Sequence, residues 1–290
     1  MNTPAADTLA LVGPGRAGRA LARAWKKSGG DLAWILARRR EAADGLGANA
    51  VFGAEAPALP PCDLLVLAVP DDAVEAVARE LSGRVRCRFA FHLAGALGSE
   101  SLAPLRQGGA AVASLHPVRP FTGADGESWV EALVAVEGDE PAAAAGSALA
   151  ARLGARPYRL AASDRALYHA AATLAAGGTA AIVSIAVRRW VDVGIPEDIA
   201  RETLAGLAAR AAAAVADRRF AEAFTGAVAR RDAGTVRGHI AALARHPESL
   251  ALYRALAEET LRRTAGAGRE DEIRRILASE TAAERIPTSS

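Results

Sequence analysis

Lysine is almost absent from this 290-residue sequence, because Lys26 and Lys27 are the only lysines among 35 basic residues. Any mechanism that needs a lysine in the second half of the chain is therefore excluded. Cysteine is scarce as well. Cys62 and Cys87 are isolated and lack a CxxC spacing, so neither a disulfide framework nor a metal site is predicted. A reducing environment suits such a chain, and we expect a cytoplasmic protein.

Strong charge and targeting signals are also lacking. The formal net charge is +2 with no acidic or basic tail, so neither nucleic acid nor an anionic membrane is an expected partner. The N-terminus has no basic region followed by a signal-length apolar stretch. One uncharged run, residues 170–187, is long enough to cross a membrane. It consists mainly of alanine, glycine and threonine, and we predict a buried helix there.

What the sequence does contain is a glycine-rich motif in "LALVGPGRAGRALARAW", residues 9–25. The motif G-x-G-x-x-G lies between a predicted strand, residues 8–13, and a predicted helix, residues 17–29. Its glycines permit a tight turn, a close approach to a pyrophosphate and tight helix–strand packing. An ordinary strand–helix turn is the alternative. The residues predicted to hold a dinucleotide are Gly13, Pro14, Gly15, Arg16, Ala17 and Gly18.

The next predicted strand, residues 32–39, indicates which dinucleotide would bind. NAD-preferring sites place a carboxylate about 20 residues beyond the glycines, where it binds the ribose 2′-hydroxyl. Here Arg38 and Arg39 occupy this region, and the first carboxylate that follows them is that of Glu41. Guanidinium groups bind a 2′-phosphate, which a carboxylate would repel. The motif therefore predicts NADP(H), with a solvated surface cluster of arginines as the alternative.

Further apolar runs predict the fold class. Strands over residues 62–70, 87–95, 110–117 and 132–138 alternate with helical patterns, which is typical of an α/β, doubly wound, mostly parallel sheet. From Ser163 onward the patterns are helical only. We predict an NADP-binding Rossmann domain over residues 1–160 and an all-helical domain for substrate binding and dimerisation over 161–283. Residues 284–290 are predicted to be a disordered tail.

Candidate site residues follow the predicted strands, because ligands of such sheets bind beyond the carboxyl ends of the strands. Ala68, Val69 and Pro70 would pass under the nicotinamide. The set His92, Ala94 and Gly95 is assigned to the cofactor, and His116 to catalysis, since it lies where Pro117 takes the chain out of the sheet. A purely structural role is the alternative for both histidines, and the stronger alternative for His92.

A second catalytic candidate, His169, lies near the start of the predicted helical half. His169, Thr173 and Gly177 are spaced i, i+4 and i+8, and would share one face of a helix. Gly177 and Gly178 in mid-helix are unfavourable, which indicates a close approach by another helix or by the cofactor. A satisfied buried imidazole is the alternative for His169.

These residues resemble a known family. The segments "VPDDAV", "FHLAGALGSESLAPLRQGGAAVASLHPVRPF" and "YHAAATLAAGG" are similar to the Rossmann-like plus DUF2520 proteins, a family of candidate NADP-dependent oxidoreductases. The family is related to pyrroline-5-carboxylate reductase, to F420-dependent NADP reductases and, more distantly, to the 6-phosphogluconate dehydrogenase group. The resemblance implies a helical second domain of the 6-phosphogluconate dehydrogenase type that forms a homodimer. It also leaves F420 as an alternative cofactor.

The resemblance assigns the family's His-Pro pair to His116 and Pro117, and its Tyr-His pair to Tyr168 and His169. The sequence departs from the family in three places. Ala94 replaces the family's usual serine, and Gly177 stands where asparagine is frequent. Ala227 replaces the proline of the family's Thr-Gly-Pro motif, which here reads Thr225-Gly226-Ala227. The first two changes remove polar groups from the expected cleft, which puts the family's usual substrate, and even catalysis, in question.

Two functions fit these observations. The first is an NADPH-dependent reductase of a small carbonyl or imine, with hydride transfer from the nicotinamide C4 and His116 or His169 as general acid. Between the two, His116 is the preferred acid. The lack of lysine argues against lysine-assisted hydroxyacid dehydrogenase and ketopantoate reductase mechanisms, whereas an imine reductase needs none. The alternative is a non-catalytic NADP(H)-binding sensor or scaffold. The sequence leaves the substrate and the reaction direction open.

Overall fold

The structure is a computed structural model that describes residues 7–122, 128–217, 219–264 and 268–279. The chain divides into two compact units, Met1–Thr173 and Leu174–Ser290. This division lies later than the domain boundary predicted between residues 160 and 161, because the helix that carries His169 is bonded to the first unit. The predicted tail, residues 284–290, lies outside the described residues.

The first unit contains an eight-stranded sheet with the order β3-β2-β1-β4-β5-β6-β7-β8. Strands β1 to β6 are parallel, whereas β7 runs antiparallel to β6 and parallel to β8. The prediction of a mostly parallel, doubly wound sheet is confirmed. The strands are β1 (Thr8–Val12), β2 (Asp31–Leu36), β3 (Ala50–Phe52), β4 (Cys62–Leu67), β5 (Cys87–His92), β6 (Ala111–Pro117), β7 (Leu133–Gly138) and β8 (Arg156–Arg159).

Sequence reasoning missed the two strands at the edges of this sheet. β3 is only three residues long, and β8 has the sequence RPYR with every residue exposed. Neither segment carries the apolar run that marks a buried strand. Both form because a neighbouring strand already present in the sheet offers free backbone hydrogen-bonding groups.

Helices cover both faces of the sheet because its strands alternate between two apolar layers. Leu9 and Leu11 of β1 pack into one layer, and Ala10 and Val12 pack into the other. The first layer includes Trp25, whose side chain is 1% exposed and lies on the apolar face of the first helix. The helices of this unit are α1 (Arg16–Lys27), α2 (Val74–Leu81), α3 (Ala103–Gln107), α4 (Glu140–Arg152) and α5 (Arg165–Thr173).

The second unit is helical throughout its described residues, as predicted. It begins with a π-helical turn over Leu174–Gly178, and α9, α10 and α11 share its larger apolar cluster, whereas α6 and α7 share a smaller one. The helices are α6 (Thr179–Asp192), α7 (Glu197–Asp217), α8 (Phe220–Ala223), α9 (Ala233–Leu243), α10 (Pro247–Arg263) and α11 (Glu270–Leu277).

The long apolar helical stretch Ala162–Asp192 departs from two expectations. Only 6% of its most apolar window is buried, so the predicted burial of residues 170–187 is wrong for the single chain. By length and composition it could span a membrane, a test that core helices of soluble proteins also pass. In addition, α5 ends at Thr173 and Gly177 lies in the π-helical turn, so the predicted His169–Thr173–Gly177 set does not belong to one α-helix.

Candidate functional site

The glycine loop follows β1 and opens α1, as its sequence context predicts. Gly13 has a φ of +84°, and a Cβ added there would lie 2.7 Å from the carbonyl oxygen of Ala68. A Cβ on Gly18 would collide with the carbonyl oxygen of Gly13. Both positions therefore require glycine, one for its backbone conformation and both for the close packing of loop, helix and strand.

Gly15 differs from the other two glycines because its surroundings are open. No atom lies within 4 Å of the position that a Cβ on Gly15 would take, and Gly15 and Arg16 are exposed. The Arg19 N–H donates to the Gly15 carbonyl at 2.8 Å, so the helix begins at this loop. The N–H groups of its first turn have no intrahelical acceptor and are directed at this space. Pro14 is buried behind the loop and Ala17 is half-buried. Open space with free N–H groups at a helix N-terminus fits a pyrophosphate.

Two unpaired arginines lie at the end of the neighbouring strand. Arg38 and Arg39 follow β2 and are exposed, and Val12 of β1 is in register with Leu36 of β2. Within the described residues neither guanidinium group has a hydrogen bond or ion pair. Arg40, by contrast, pairs with Glu55 at 3.4 Å. The two free cations lie on the side of the loop where the adenosine half of a dinucleotide binds in Rossmann sheets.

On the β4 side of the loop, the segment that follows β4 packs against Gly13. The Ala68 N–H donates to the Val12 carbonyl at 2.8 Å. Cγ1 of Val69 would lie 2.8 Å from a Cβ added to Gly13. Ala68 and Val69 are half-buried, whereas Pro70 is exposed. The structure therefore brings all three predicted residues to the same edge of the sheet as Gly13.

His92, which the sequence assigned to the cofactor, is buried and bonded within its own turn. The side chain is 0% exposed. Its Nδ1 accepts the Ala94 N–H at 3.2 Å, and its Nε2 lies 3.0 Å from the Gly98 carbonyl. Burial lowers the pKa of His92, so the ring is neutral and both nitrogens are occupied. His92 shapes the turn after β5, and this turn also buries Ala94, which is 5% exposed.

Gly95 is where the two predicted catalytic histidines meet. A Cβ placed on Gly95 would lie 2.6 Å from Cδ2 of His169 and 2.7 Å from Nε2 of His116. The two imidazole rings are 5.8 Å apart between centroids, with their planes inclined at 68°. Both side chains are half-buried. His116, at the end of β6, and His169, on α5, therefore face one point although they are 53 positions apart in the sequence.

The surroundings of His116 favour its neutral form. Tyr168 lies beside it, with the hydroxyl oxygen 2.7 Å from Nδ1. Burial, followed by the positive fields of His169 and Arg165, lowers the pKa of His116 from its ordinary value to about 4. Burial likewise raises the pKa of Tyr168 to about 12. At neutral pH the pair is therefore an uncharged imidazole hydrogen-bonded to an uncharged phenol.

A buried ion pair attaches the first residue of α5 to the sheet. Arg165 and Glu137 are 4% and 7% exposed, and Nη2 of Arg165 lies 3.4 Å from Oε2 of Glu137. Glu137 also accepts the backbone N–H and the hydroxyl of Ser99, each at 2.8 Å. Nη1 of Arg165 donates to the Gly95 carbonyl at 3.2 Å. The ion pair thus connects α5 to β7 and to the turn that the histidines share.

Sequence analysis missed this ion pair, although one signal for it exists. The strand "ALVAVEG" contains a single charged residue, Glu137, near the end of an apolar run. A carboxylate in such a position needs a partner, because an unpaired buried charge is costly. Its partner, Arg165, has no sequence signal of its own.

These features lie in one line along the carboxyl edge of the parallel sheet. The strand order β2-β1-β4-β5-β6 puts Arg38 at one end, the glycine loop and Pro70 in the middle, and Gly95 with His116 at the other end. Four strand spacings separate β2 from β6, or about 19 Å. The order reverses between β1 and β4, which is the topological switch point where ligands of such sheets bind.

Comparison with known families and structures gives a consistent assignment. Residues 3–117 match the model of a Rossmann-like domain, and residues 132–260 match a domain of unknown function, DUF2520. The chain is a Rossmann-like and DUF2520 domain protein. His116 is the second-last residue of the Rossmann-like match, whereas Glu137, Tyr168 and His169 belong to the DUF2520 match. Both domains therefore contribute to the cluster around Gly95.

Solved structures share the fold at low sequence identity. A Bacteroides fragilis protein described as a candidate NADP oxidoreductase aligns with a TM-score of 0.70 and 21% identity, over 89% of this chain and 99% of its own. The 1-pyrroline-5-carboxylate reductase of Streptococcus pyogenes aligns with a TM-score of 0.60 and 16% identity, over 93% and 99%. A search of curated proteins by sequence finds no match.

A third structure holds a cofactor. The reductive aminase of Aspergillus terreus, in complex with NADPH and ethyl levulinate, aligns with a TM-score of 0.58 and 17% identity, over 93% of the Rossmann-like and DUF2520 chain and 98% of its own. The fold is thus one that NADP-dependent reductases use.

Proposed function

We propose that the protein is an NADP(H)-dependent oxidoreductase that reduces a small carbonyl or imine by hydride transfer. The observation that carries the proposal is the meeting of His116 and His169 at Gly95, on the sheet edge that also holds the glycine loop. A dinucleotide along that edge would place its reactive ring near the two imidazoles. Fold neighbours that bind NADPH or reduce a pyrroline support the same reaction class.

The loop residues suit NADP(H) better than F420. The open space at Gly15 and the N–H groups of the first turn of α1 would hold the pyrophosphate. Arg38 and Arg39 would hold the 2′-phosphate, a group that F420 does not offer. When bound, NADPH supplies a hydride from C4 of its nicotinamide. The protein then has to orient the substrate and complete its protonation.

The two histidines have different environments, which assigns them different roles. A pKa lowered to about 4 keeps His116 neutral at pH 7 and disfavours a role as an imidazolium acid. We propose that its neutral form binds the reacting atom of the substrate through a hydrogen bond. The general-acid role of His116 stays a prediction from the sequence. Neither ring nitrogen of His169 has a hydrogen-bond partner within the described residues. His169 is therefore the candidate for proton transfer.

A specific departure favours the second candidate function, a non-catalytic NADP(H)-binding sensor or scaffold. The family resemblance places a serine where this chain has Ala94, whose side chain is buried beside Gly95. The turn therefore offers no hydroxyl group to a substrate. The paired histidines argue against this candidate, because a sensor needs neither.

Turnover measurements separate the two functions. NADPH oxidation, followed by nicotinamide absorbance against a panel of small ketones, aldehydes and cyclic imines, is expected to show turnover with at least one class. His116→Gln is expected to lower kcat by about 10²- to 10³-fold, the typical cost of removing one donor to the reacting atom, and to leave the Kd for NADPH unchanged. NADPH binding without turnover on the whole panel would favour the sensor. Equal loss of binding and turnover in the variant would indicate a structural role for His116.

Gly15→Ala tests the phosphate cradle directly. The added methyl group has space in the protein alone, but it would occupy the position where the pyrophosphate approaches the backbone. We expect NADPH to bind at least about tenfold more weakly, with an unchanged melting temperature. Gly238→Ala on α9, where a Cβ also meets no atom within 4 Å, is the matched control. Unchanged NADPH affinity in Gly15→Ala would contradict this placement of the cofactor.

We also propose a homodimer formed through the second unit. Apolar side chains on α6, α7 and the turn between them are exposed in the single chain, among them Val193 at 74% and Leu207 at 55%. Large exposed apolar faces mark interaction surfaces, and a second copy of this chain is the occupant that the related helical domains suggest. Gly177 and Gly178 would permit close helix contact.

Light scattering is expected to give twice the 29.8 kDa of one chain at micromolar concentration. Leu207→Glu on α7 should shift the protein toward the single-chain mass. Leu256→Glu on α10, where the side chain is 43% exposed, should not. A mass of one chain for the unmodified protein would contradict the dimer.

A further inference from the structure

Tyr168 is the one polar side chain bonded to a predicted catalytic imidazole among the described residues. Its hydroxyl oxygen lies 2.7 Å from Nδ1 of His116, and the two rings meet edge to face with centroids 5.6 Å apart. The other ring nitrogen, Nε2, is directed at Gly95. The hydrogen bond at Nδ1 therefore determines what His116 presents at the site.

The direction of this hydrogen bond follows from the chemistry of its two groups. A phenol is a stronger acid than a neutral imidazole N–H, and an imidazole nitrogen is a stronger base than a phenol oxygen. The favoured arrangement has the Tyr168 hydroxyl donating to Nδ1, which places the ring proton on Nε2. In a neutral histidine, the hydrogen bond at one nitrogen selects the tautomer at the other.

We propose that Tyr168 is a positioning residue that holds His116 in the tautomer protonated on Nε2, so that the nitrogen facing Gly95 is a fixed hydrogen-bond donor. Tyr168 acts through His116 and keeps its own proton, and His116 donates a hydrogen bond without transferring its proton. A fixed donor at this point suits a reacting atom with a free lone pair, namely a carbonyl oxygen or an unprotonated imine nitrogen. This last consequence rests on the proposed function, whereas the tautomer does not.

The second unit contains a matched tyrosine–histidine pair of its own. The hydroxyl oxygen of Tyr253 lies 2.9 Å from Nδ1 of His239, with the rings edge to face and centroids also 5.6 Å apart. This pair has the same chemistry, between an exposed His239 on α9 and a half-buried Tyr253 on α10. Tyr253→Phe is therefore a control that removes one phenol hydroxyl from a histidine of the second unit.

The test is a long-range proton–nitrogen correlation spectrum of the histidine rings in the uniformly ¹⁵N-labelled full-length protein at neutral pH. His116→Gln assigns the His116 signals. In the unmodified protein, Nε2 of His116 is expected at a protonated and Nδ1 at an unprotonated nitrogen shift. In Tyr168→Phe, the Nδ1 resonance should move downfield toward the value of a free acceptor. In Tyr253→Phe, only the His239 signals should move.

Two results would overturn the proposal. One is an unmodified protein in which Nδ1 of His116 carries the proton, a result that needs no variant and so does not depend on whether Tyr168→Phe folds. The other is an unchanged Nδ1 resonance in a folded Tyr168→Phe variant. With any substrate found in the panel, Tyr168→Phe should lower kcat and spare the Kd for NADPH. A protein without turnover would refute the reductase and leave the tautomer result intact.

Discussion

Replacing Arg38 and Arg39 together by alanine is expected to weaken NADPH binding by roughly 10- to 150-fold and to leave NADH binding nearly unchanged. Both guanidinium groups are exposed, follow β2, and lack a partner within the described residues. A 2′-phosphate would be their first partner. Losing charge-assisted hydrogen bonds to such a group costs about 1.5–3 kcal/mol. NADH lacks the phosphate, so the same change removes no contact to it.

Titration of each nucleotide by calorimetry or fluorescence measures this difference. Arg262→Ala with Arg263→Ala is the matched control, because it removes the same charge from exposed positions on α10. The control separates a local contact from the general effect of net charge on anion binding. Tighter binding of NADH than of NADPH by the unmodified protein would refute the assignment of the two arginines.

Glu137→Ala is expected to lower the free energy of unfolding of the first unit by about 3–5 kcal/mol, the typical cost of breaking one partner of a buried ion pair. The substitution leaves Arg165 as an uncompensated charge, 4% exposed. It also removes the acceptor of two hydrogen bonds from Ser99. Because Arg165 also holds the Gly95 carbonyl, we expect the loss of stability to be accompanied by displacement of α5.

Urea unfolding followed by tryptophan fluorescence measures this effect, since three of the four tryptophans, Trp25, Trp34 and Trp129, are buried in the first unit. The control is Glu140→Ala. Glu140 pairs with Arg159 at 2.8 Å, but both side chains are exposed, so about 1 kcal/mol or less should be lost.

A double variant, Glu137→Leu with Arg165→Met, tests the origin of the loss. It removes both charges and should recover most of the stability if the uncompensated charge is its cause. A loss below about 1 kcal/mol in Glu137→Ala itself would show that the ion pair does not hold α5.

The sequence determined the features that depend on neighbouring residues. The run before Gly13, the glycine spacing and the helix pattern after it predict a strand–loop–helix unit because all three signals lie within residues 8–29. The central strands follow for the same reason, since each is a continuous apolar run, and the helical second half follows from its periodicity. Arg38 could be assigned to a 2′-phosphate because its distance from the loop along the chain is a property of this local unit. That assignment stays a prediction.

Tertiary structure alone decided what surrounds each side chain. His92 and His116 each end a predicted strand, and a structural role was only the stronger alternative for His92. The turn after β5 occupies both nitrogens of His92, whereas His116 meets Tyr168 and His169. The partner of Glu137 could not be identified either, because Arg165 comes from a helix 28 positions later. Burial, ion pairing and the pKa of a side chain depend on which distant segments pack against it, and that packing is a property of the assembled sheet rather than of any local pattern.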